Sequence, residues 1–293
     1  MDEHDAAIKE QRRILRLMQD HLAQAHLSLG SQQEHIGLVD VIHHPDNSLG
    51  HLNYVTPRRN TAWVPAPSVQ QGLDRLRSLN RTMRVNYVEG LFLPIFAKSL
   101  RDLGLVVEQE TSLMSYTLAD LKLPEEDTAG KDHPVARVTA VNDQDGIAQW
   151  WYVWRNAYFD VLTGSIEPIY VGRDVQAIAL GRQADLLLYR EGFPVGVARL
   201  TFHNQTAHLA TLAIMKEARA PEMIRMLYYG ALGAAKDRGC ELLFTSGDTE
   251  ADRKLCRELG FVDSGSMVCY AEPAEETKGD LHDVNLAQPV LAL

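Results

Sequence analysis

The chain has 293 residues, enough for two modest domains or one large one. Its apolar share of 45% and charged share of 23% are those of an ordinary soluble globular protein. With 39 acidic and 29 basic side chains the formal net charge is −10, a field that repels nucleic acid and anionic membranes, and the pair Arg58–Arg59 is too small a basic patch to override it.

The first predicted element is a helix over residues 6–29, in which Ile8, Leu15, Met18, Leu22 and Ala25 form one apolar face and Gly30 is the stop. A strand follows over Ile36–Ile42, then a turn at Pro45-Asp46-Asn47 and two short extended pieces, Leu52–Val55 and Thr61–Val64. Ser68 suits the cap of a helix with the apolar face Val69, Leu73, Leu76 and Leu79. A strand over Met83–Val88, a helix over Leu93–Leu103 ended by Gly104, and a long strand over Leu105–Leu118 close the first half.

Residues 124–134 are charged and bounded by Pro124 and Pro134, the composition of a linker. The second half opens with a helix over Asp143–Leu162 carrying Trp150, Trp151, Trp154 and Tyr158, then a shorter helix over Val175–Arg182. Three strands, Ala184–Arg190, Val195–His203 and Ala207–Lys216, are joined by turns at Glu191-Gly192 and Asn204-Gln205, which predicts an antiparallel meander. A helix over Glu222–Arg238, a strand over Glu241–Ser246, a helix over Glu250–Leu259 and a strand over Phe261–Ala271 follow. Val290, Leu291 and Leu293 at the very end are expected to dock on the body or to fray.

No stretch approaches the roughly 18 apolar residues that span a bilayer. The start, Met1-Asp2-Glu3-His4-Asp5, lacks the basic and apolar regions of a secretory signal. The three cysteines, Cys240, Cys256 and Cys269, have no metal-type spacing, so a reducing, cytoplasmic setting is expected. His43, His44, Asp46 and His51 surround one turn, but their spacing is unlike zinc patterns and reads as a solvated loop. Trp150, Trp154 and Tyr158 fall on one helical face, which suits core or dimer packing more readily than a substrate wall. Asp248 and Asp252 flank a helix start, where carboxylates favour the helix dipole without catalytic duty.

An internal echo joins the halves. Leu100-Arg101-Asp102-Leu103-Gly104-Leu105-Val106 matches Cys256-Arg257-Glu258-Leu259-Gly260-Phe261-Val262: each ends a helix, turns on glycine and enters a strand. A duplication with a shortened first copy is the expectation.

The order of elements in the second half, with Pro194-Val195-Gly196-Val197-Ala198, Ala210-Thr211-Leu212-Ala213-Ile214 and Leu255-Cys256-Arg257-Glu258-Leu259-Gly260-Phe261, resembles the GNAT superfamily of N-acetyltransferases. The resemblance implies an α+β fold: a mixed, mostly antiparallel sheet flanked by helices, in two related units. It divides the chain into a truncated GNAT-like domain over residues 1–123, the linker 124–134, a GNAT acetyltransferase-like domain over 135–271 and a tail over 272–293. It also implies an acetyl group passing from acetyl-CoA to the amine of a small molecule, with no nucleic acid or membrane partner and no metal, and it is compatible with a homodimer. The alternative is a GNAT-shaped binding or structural protein that no longer uses acetyl-CoA.

In that family the pyrophosphate lies on a helix N-terminus within a loop of the form Gln/Arg-x-x-Gly-x-Gly/Ala. The matching residues here are Arg219-Ala220-Pro221-Glu222-Met223-Ile224. The resemblance assigns the cofactor to Leu212, Ala213, Ile214, Arg219, Ala220, Met223, Ile224 and Arg225. Glu222 and Ile224 stand where the glycines belong, and Pro221 has no N–H. The family's tyrosine, which protonates the leaving thiolate, is matched by Cys256, with Tyr228 and Tyr229 on the preceding helix as substitutes. Cys256 reads more readily as a small apolar filler on a buried helix face. A base is also needed, and residues 207–215 hold no carboxylate, which leaves His208, with His203 next, as the nearest titratable groups.

Overall fold

The computed structural model describes residues 3–59, 61, 63–121, 136–159 and 166–273. The expected linker at 124–134 and the tail residues 274–293, with Val290, Leu291 and Leu293, lie outside them. Helix α1 (Glu3–Ser28) buries Leu15, Met18 and Leu22, as its spacing predicts. Strands β1 (Gln32–Ile36) and β2 (Val39–His43) replace the single strand expected over Ile36–Ile42. The chain reverses at Gly37, whose φ of +56° permits a tight turn that apolar spacing does not reveal. β3 (Tyr54–Pro57) follows, and Thr61, Trp63 and Val64 form no strand.

Helix α2 (Ala66–Ser78) starts before the expected cap Ser68, because Pro67 in its first turn is pre-set for a helix. The same device opens α3 (Pro94–Asp102), α5 (Pro168–Ala179) and α6 (Pro221–Asp237). It explains why α5 begins well before the expected Val175. Between these lie β4 (Arg84–Val88), β5 (Val106–Thr117), the unexpected β6 (Ala136–Ala140) and α4 (Gln144–Phe159). The meander of β7 (Gln183–Arg190), β8 (Phe193–His203) and β9 (Thr206–Ile214) turns where expected. β10 (Leu242–Gly247), α7 (Glu250–Glu258) and β11 (Val262–Ala271) complete the chain.

The eleven strands among the described residues form one sheet in the order β1-β2-β3-β4-β11-β5-β10-β9-β8-β7-β6. Only β3–β4 and β9–β10 are parallel; every other pair is antiparallel. The fold class is therefore the α+β arrangement expected. The final strand of each half lies beyond the other half: β11 pairs with β4, β5 pairs with β10, and β5 and β11 pair with each other. Reading outward from the β5–β11 pair gives the same sequence of pairings in both directions.

The echo has a structural counterpart. The Leu105 N–H donates to Leu100 O at 3.1 Å, and the Phe261 N–H to Cys256 O at 2.9 Å. Both close the helix by the same C-terminal motif around a left-handed glycine, Gly104 at φ +84° and Gly260 at φ +91°.

Helices α2, α3, α6 and α7 cover one sheet face; α1, α4 and α5 cover the other. Alternation along β10 shows the division: Leu243 joins the core under α6, and Phe244 joins the core under α1. The α4–α5 layer is fastened by a buried charge cluster. Arg199 on β8 donates to Asp185 at 2.8 and 2.6 Å and to Asp174 on α5 at 2.6 Å. Its guanidinium lies 4.0 Å from the Trp150 ring centroid, and Trp151 donates to Asp174 at 2.9 Å. Burial raises the Asp185 carboxyl above its ordinary range, against the lowering effect of Arg199.

Candidate functional site

In the second half of the sheet, β9 and β10 pair over only part of their length. They pair from Thr206–Leu242 to Leu209–Thr245 and then part, leaving residues 210–214 of β9 without a β10 partner. Thr245 Oγ1 donates to Leu209 O at 3.1 Å and closes the base of the gap. On its other edge β9 is held by β8, where the Met215 N–H donates to Val195 O at 2.9 Å. Because strand hydrogen bonds alternate, the backbones of Leu212 and Ile214 are directed into the gap. Their side chains pack under α6, and Ala213 packs under α4.

Two groups of side chains lie on the elements that flank the gap. On the α6 side, Tyr228 and Cys256 share a hydrogen bond of 3.4 Å, both buried. Burial raises both, and their mutual contact raises Tyr228 further while lowering Cys256. At the end of β10 stands Asp248. Asp248 is an exposed residue whose carboxyl is partly desolvated, which raises it more than a hydrogen bond with Ser246 lowers it, and the Asp252 charge adds to the rise. Asp248 and Asp252 in turn raise both Tyr228 and Tyr158, after burial, so the two tyrosines and two carboxylates share one electrostatic site. Asp252 does cap the helix: it and Thr249 bond reciprocally at the start of α7. Asp248 has no part in that cap. Its position just past a strand at an open edge, and not its place near a helix start, is the signal that residue type alone missed.

His208, the base expected from the sequence, is not brought to this point. It lies in the paired part of β9, stacks on Phe244 at 4.5 Å and faces His21 under α1. Burial lowers it to about 4. Its Nδ1 and the Thr211 Oγ1 are buried without a hydrogen-bond partner among the described residues, as is Trp154 Nε1 on α4. His203 bonds to Asp20 at 3.2 Å, away from the gap. Trp150, Trp151 and Trp154 are core residues, whereas Tyr158 is 43% exposed.

The loop at the head of α6 offers an anion little. Pro221 has no N–H, and the Met223 and Ile224 N–H groups both go to Ala220 O, at 3.0 and 3.2 Å. That leaves Glu222 as the free donor of the first turn, with its own carboxylate beside it. Arg219 is committed to backbone, donating to Ile214 O at 3.2 Å and Ala157 O at 3.3 Å. Arg225 pairs with Glu258 at 2.6 Å. The gap thus leaves a strand edge free, and the head of α6 presents few free N–H donors to an anion. Among the described residues no group of three or more His, Cys, Asp or Glu could hold a metal, and no helix is long and apolar enough to cross a membrane.

No family model and no curated protein matches the chain. Solved structures do. A GCN5-related N-acetyltransferase from Kribbella flavida aligns over 90% of this chain and 97% of its own, at 19% identity and a TM-score of 0.67. A tandem GNAT protein from the clavulanic acid biosynthesis pathway covers 84% of this chain and 85% of its own, at 12% identity and TM-score 0.51. The C-terminal domain of a protein described as a lysylphosphatidylglycerol synthetase, from Agrobacterium fabrum, covers 92% of both chains at 12% identity and TM-score 0.53. The chain has the fold of the GCN5-related N-acetyltransferases.

Proposed function

We propose that the chain is an acyltransferase that moves an acetyl group from acetyl-CoA to the amine of a small molecule, with the transfer taking place at the β9–β10 gap. The observation that carries this reading is the parting of β9 from β10 after Leu209–Thr245, with Asp248 and Tyr228–Cys256 beside the opening. The names of the solved structures that share the fold support it. We read the two halves as diverged copies, the first shortened, on the strength of the matching order of pairings about β5–β11.

Acetyl-CoA, when bound, supplies the acyl group as a thioester. The Leu212 backbone and the Ile214 N–H offer it partners, the Ile214 carbonyl being taken by Arg219. Asp248, its carboxyl raised above the ordinary carboxylate range by desolvation, accepts the proton that an ammonium must lose before it can attack. The Tyr228 hydroxyl, supported by Cys256, holds a proton for the departing sulfur. Thr211 Oγ1 and Trp154 Nε1, with hydrogen-bonding capacity unspent on the α4 side, suit a polar acceptor. The net charge of −10 favours a small cationic amine over a nucleic acid.

The test is release of free thiol from acetyl-CoA in the presence of polyamines, amino acids and aminoglycosides. The reading expects turnover with at least one class, and a loss of about 10²-fold or more in kcat for Asp248→Asn in a protein that still folds. Folded protein that releases no thiol with any of them contradicts it. The α6 loop favours a second reading, a GNAT-shaped protein that no longer uses acetyl-CoA, because Glu222 and the committed Arg219 leave a pyrophosphate unsupported.

A further inference from the structure

Helix α1 carries two stripes. Leu15, Met18 and Leu22 enter the core. The second stripe is Arg16, Gln19, Asp20, Ala23 and Gln24, with the i, i+3, i+4, i+7, i+8 spacing of a contact face. Four of these five residues are polar, yet the stripe does not simply face solvent. It lines a cleft of about 210 Å³ between α1 and the sheet.

The opposite wall is also polar. Register pairs Gln33 with Ile42, His35 with Asp40, and Asp40 with Thr56, so these side chains share one sheet face, and all line the cleft. Val39, Val41 and Val55 point the other way into the core under α2. A polar helix stripe laid over a polar sheet face gains little apolar contact and costs desolvation on both sides. Part of that cost is already met: across the cleft Gln19 donates to Thr56 Oγ1 at 3.4 Å and to Pro57 O at 3.3 Å, and on the sheet wall Gln33 donates to Asp40 at 2.9 Å. A ligand therefore adds hydrogen bonds chiefly at Arg16 and Gln24.

The place in the fold is also particular. β3 and β4 pair at Val55–Val85 alone and then part. Pro57 and Arg58 leave β3 on one side of the cleft, and Leu91 and Phe92 follow β4 on the other. Within the order of pairings about β5–β11, this is the counterpart of the β9–β10 gap. The two openings share no lining residue.

Charge sets the class of ligand. Arg16, Arg58 and Arg59 face Asp20 and Asp40, a formal +1 within a chain of −10. The carboxylates are sheltered, Asp40 at 10% and Asp20 at 19% side-chain exposure. They hold Arg58 at 3.6 Å and Arg59 at 3.3 Å, with those guanidiniums 44% and 65% exposed at the mouth. Arg16 and Gln24 have no hydrogen bond or ion pair among the described residues. The volume is below the ~300–1,000 Å³ of pockets for drug-sized ligands, which points to a small metabolite and not a nucleotide cofactor.

We propose that this cleft binds a small polar organic anion, its carboxylate or phosphate received by Arg16, Arg58 and Arg59 and its body lying by Gln24 over Ile42 and Phe92. The site does not depend on acyl transfer at the β9–β10 gap.

The experiment is calorimetric titration of the full chain with succinate, citrate, glutamate, inorganic phosphate and ribose 5-phosphate, each against sodium chloride at equal ionic strength. The carboxylate and phosphate arms separate the two sources of the anionic group. At least one probe is expected to bind and to raise Tm. Arg16→Gln, at an exposed residue with no partner to lose, is expected to weaken that probe about tenfold or more and leave the Tm of the ligand-free protein unchanged. Lys98→Gln on α3 is expected to leave binding unchanged. Binding of no probe at about 10 mM beyond the chloride control overturns the proposal, as does equal affinity in Arg16→Gln.

Discussion

Tyr228 on α6 and Cys256 on α7 share a hydrogen bond of 3.4 Å, and both are buried. The pair joins two helices that meet the sheet on the same face, so it has a structural part whatever its chemistry. Tyr228→Phe removes the bond and nothing else of the ring, at an expected ~0.5–1.5 kcal/mol in chemical denaturation. If the Tyr228 hydroxyl also holds the proton for a leaving thiolate, kcat for acyl transfer falls about 10²-fold in the same variant. A drop in stability without a change in kcat assigns the pair to packing alone.

The buried histidines predict a pH dependence. Burial lowers His208 to about 4 and His26 to about 3, and holds His21 well below its usual range. A histidine whose folded pKa lies below its unfolded value of 6.5 takes up protons on unfolding. Stability is therefore full above about pH 6.5, falls as pH drops through the window from 6.5 to about 4, and levels for His208 below that. The loss attached to His208 is at most on the order of 3 kcal/mol. Urea unfolding at pH 7 and pH 5 measures it, and His208→Leu, which keeps an apolar face against Phe244, flattens the slope.

Arg199 pairs with two carboxylates that are almost wholly buried, one of which, Asp174, also meets Arg173 at 3.3 Å. Arg199→Met strands Asp174 and Asp185 without a buried cation, at an expected ~3–5 kcal/mol. Arg199→Lys recovers only part of this, because a lysine cannot make the paired bonds to Asp185. Denaturant midpoints of the two variants give the comparison, and equal stability of wild type and Arg199→Met contradicts the role assigned to the cluster.

The echoed glycines should respond unequally. Each is left-handed, so alanine costs ~1–2 kcal/mol at either. A Cβ at Gly104 meets open space, and one at Gly260 lies 3.1 Å from the Tyr116 ring. Gly260→Ala is therefore expected to lower Tm more than Gly104→Ala.

Much of the architecture was legible because helix faces and strand alternation follow from apolar spacing, as at Leu15, Met18 and Leu22 or in the meander from Gln183 to Ile214. Less legible were features set by backbone geometry or by distant pairing. Gly37 divides what apolar spacing joins into one strand. The placement of β5 between β10 and β11 depends on contacts far apart in sequence, which no local pattern encodes. At the site, the loop signature identified Arg219 and Glu222, but only the folded chain shows Arg219 spent on carbonyls. Arg199 and Asp185 stand out as charges in otherwise apolar strands, a signal that their pairing explains. Arg58 and Arg59, a mere pair in sequence, meet Arg16 at a cleft once α1 is laid on the sheet.

The central claim is that the β9–β10 gap takes an acyl-CoA despite its poor phosphate loop. Calorimetric titration of acetyl-CoA into wild type and Glu222→Gly tests it directly. The account predicts binding by the wild type and a gain of about fivefold or more in the variant, since a carboxylate removed from near a phosphate is worth ~1 kcal/mol. No heat at millimolar acetyl-CoA in either protein contradicts it.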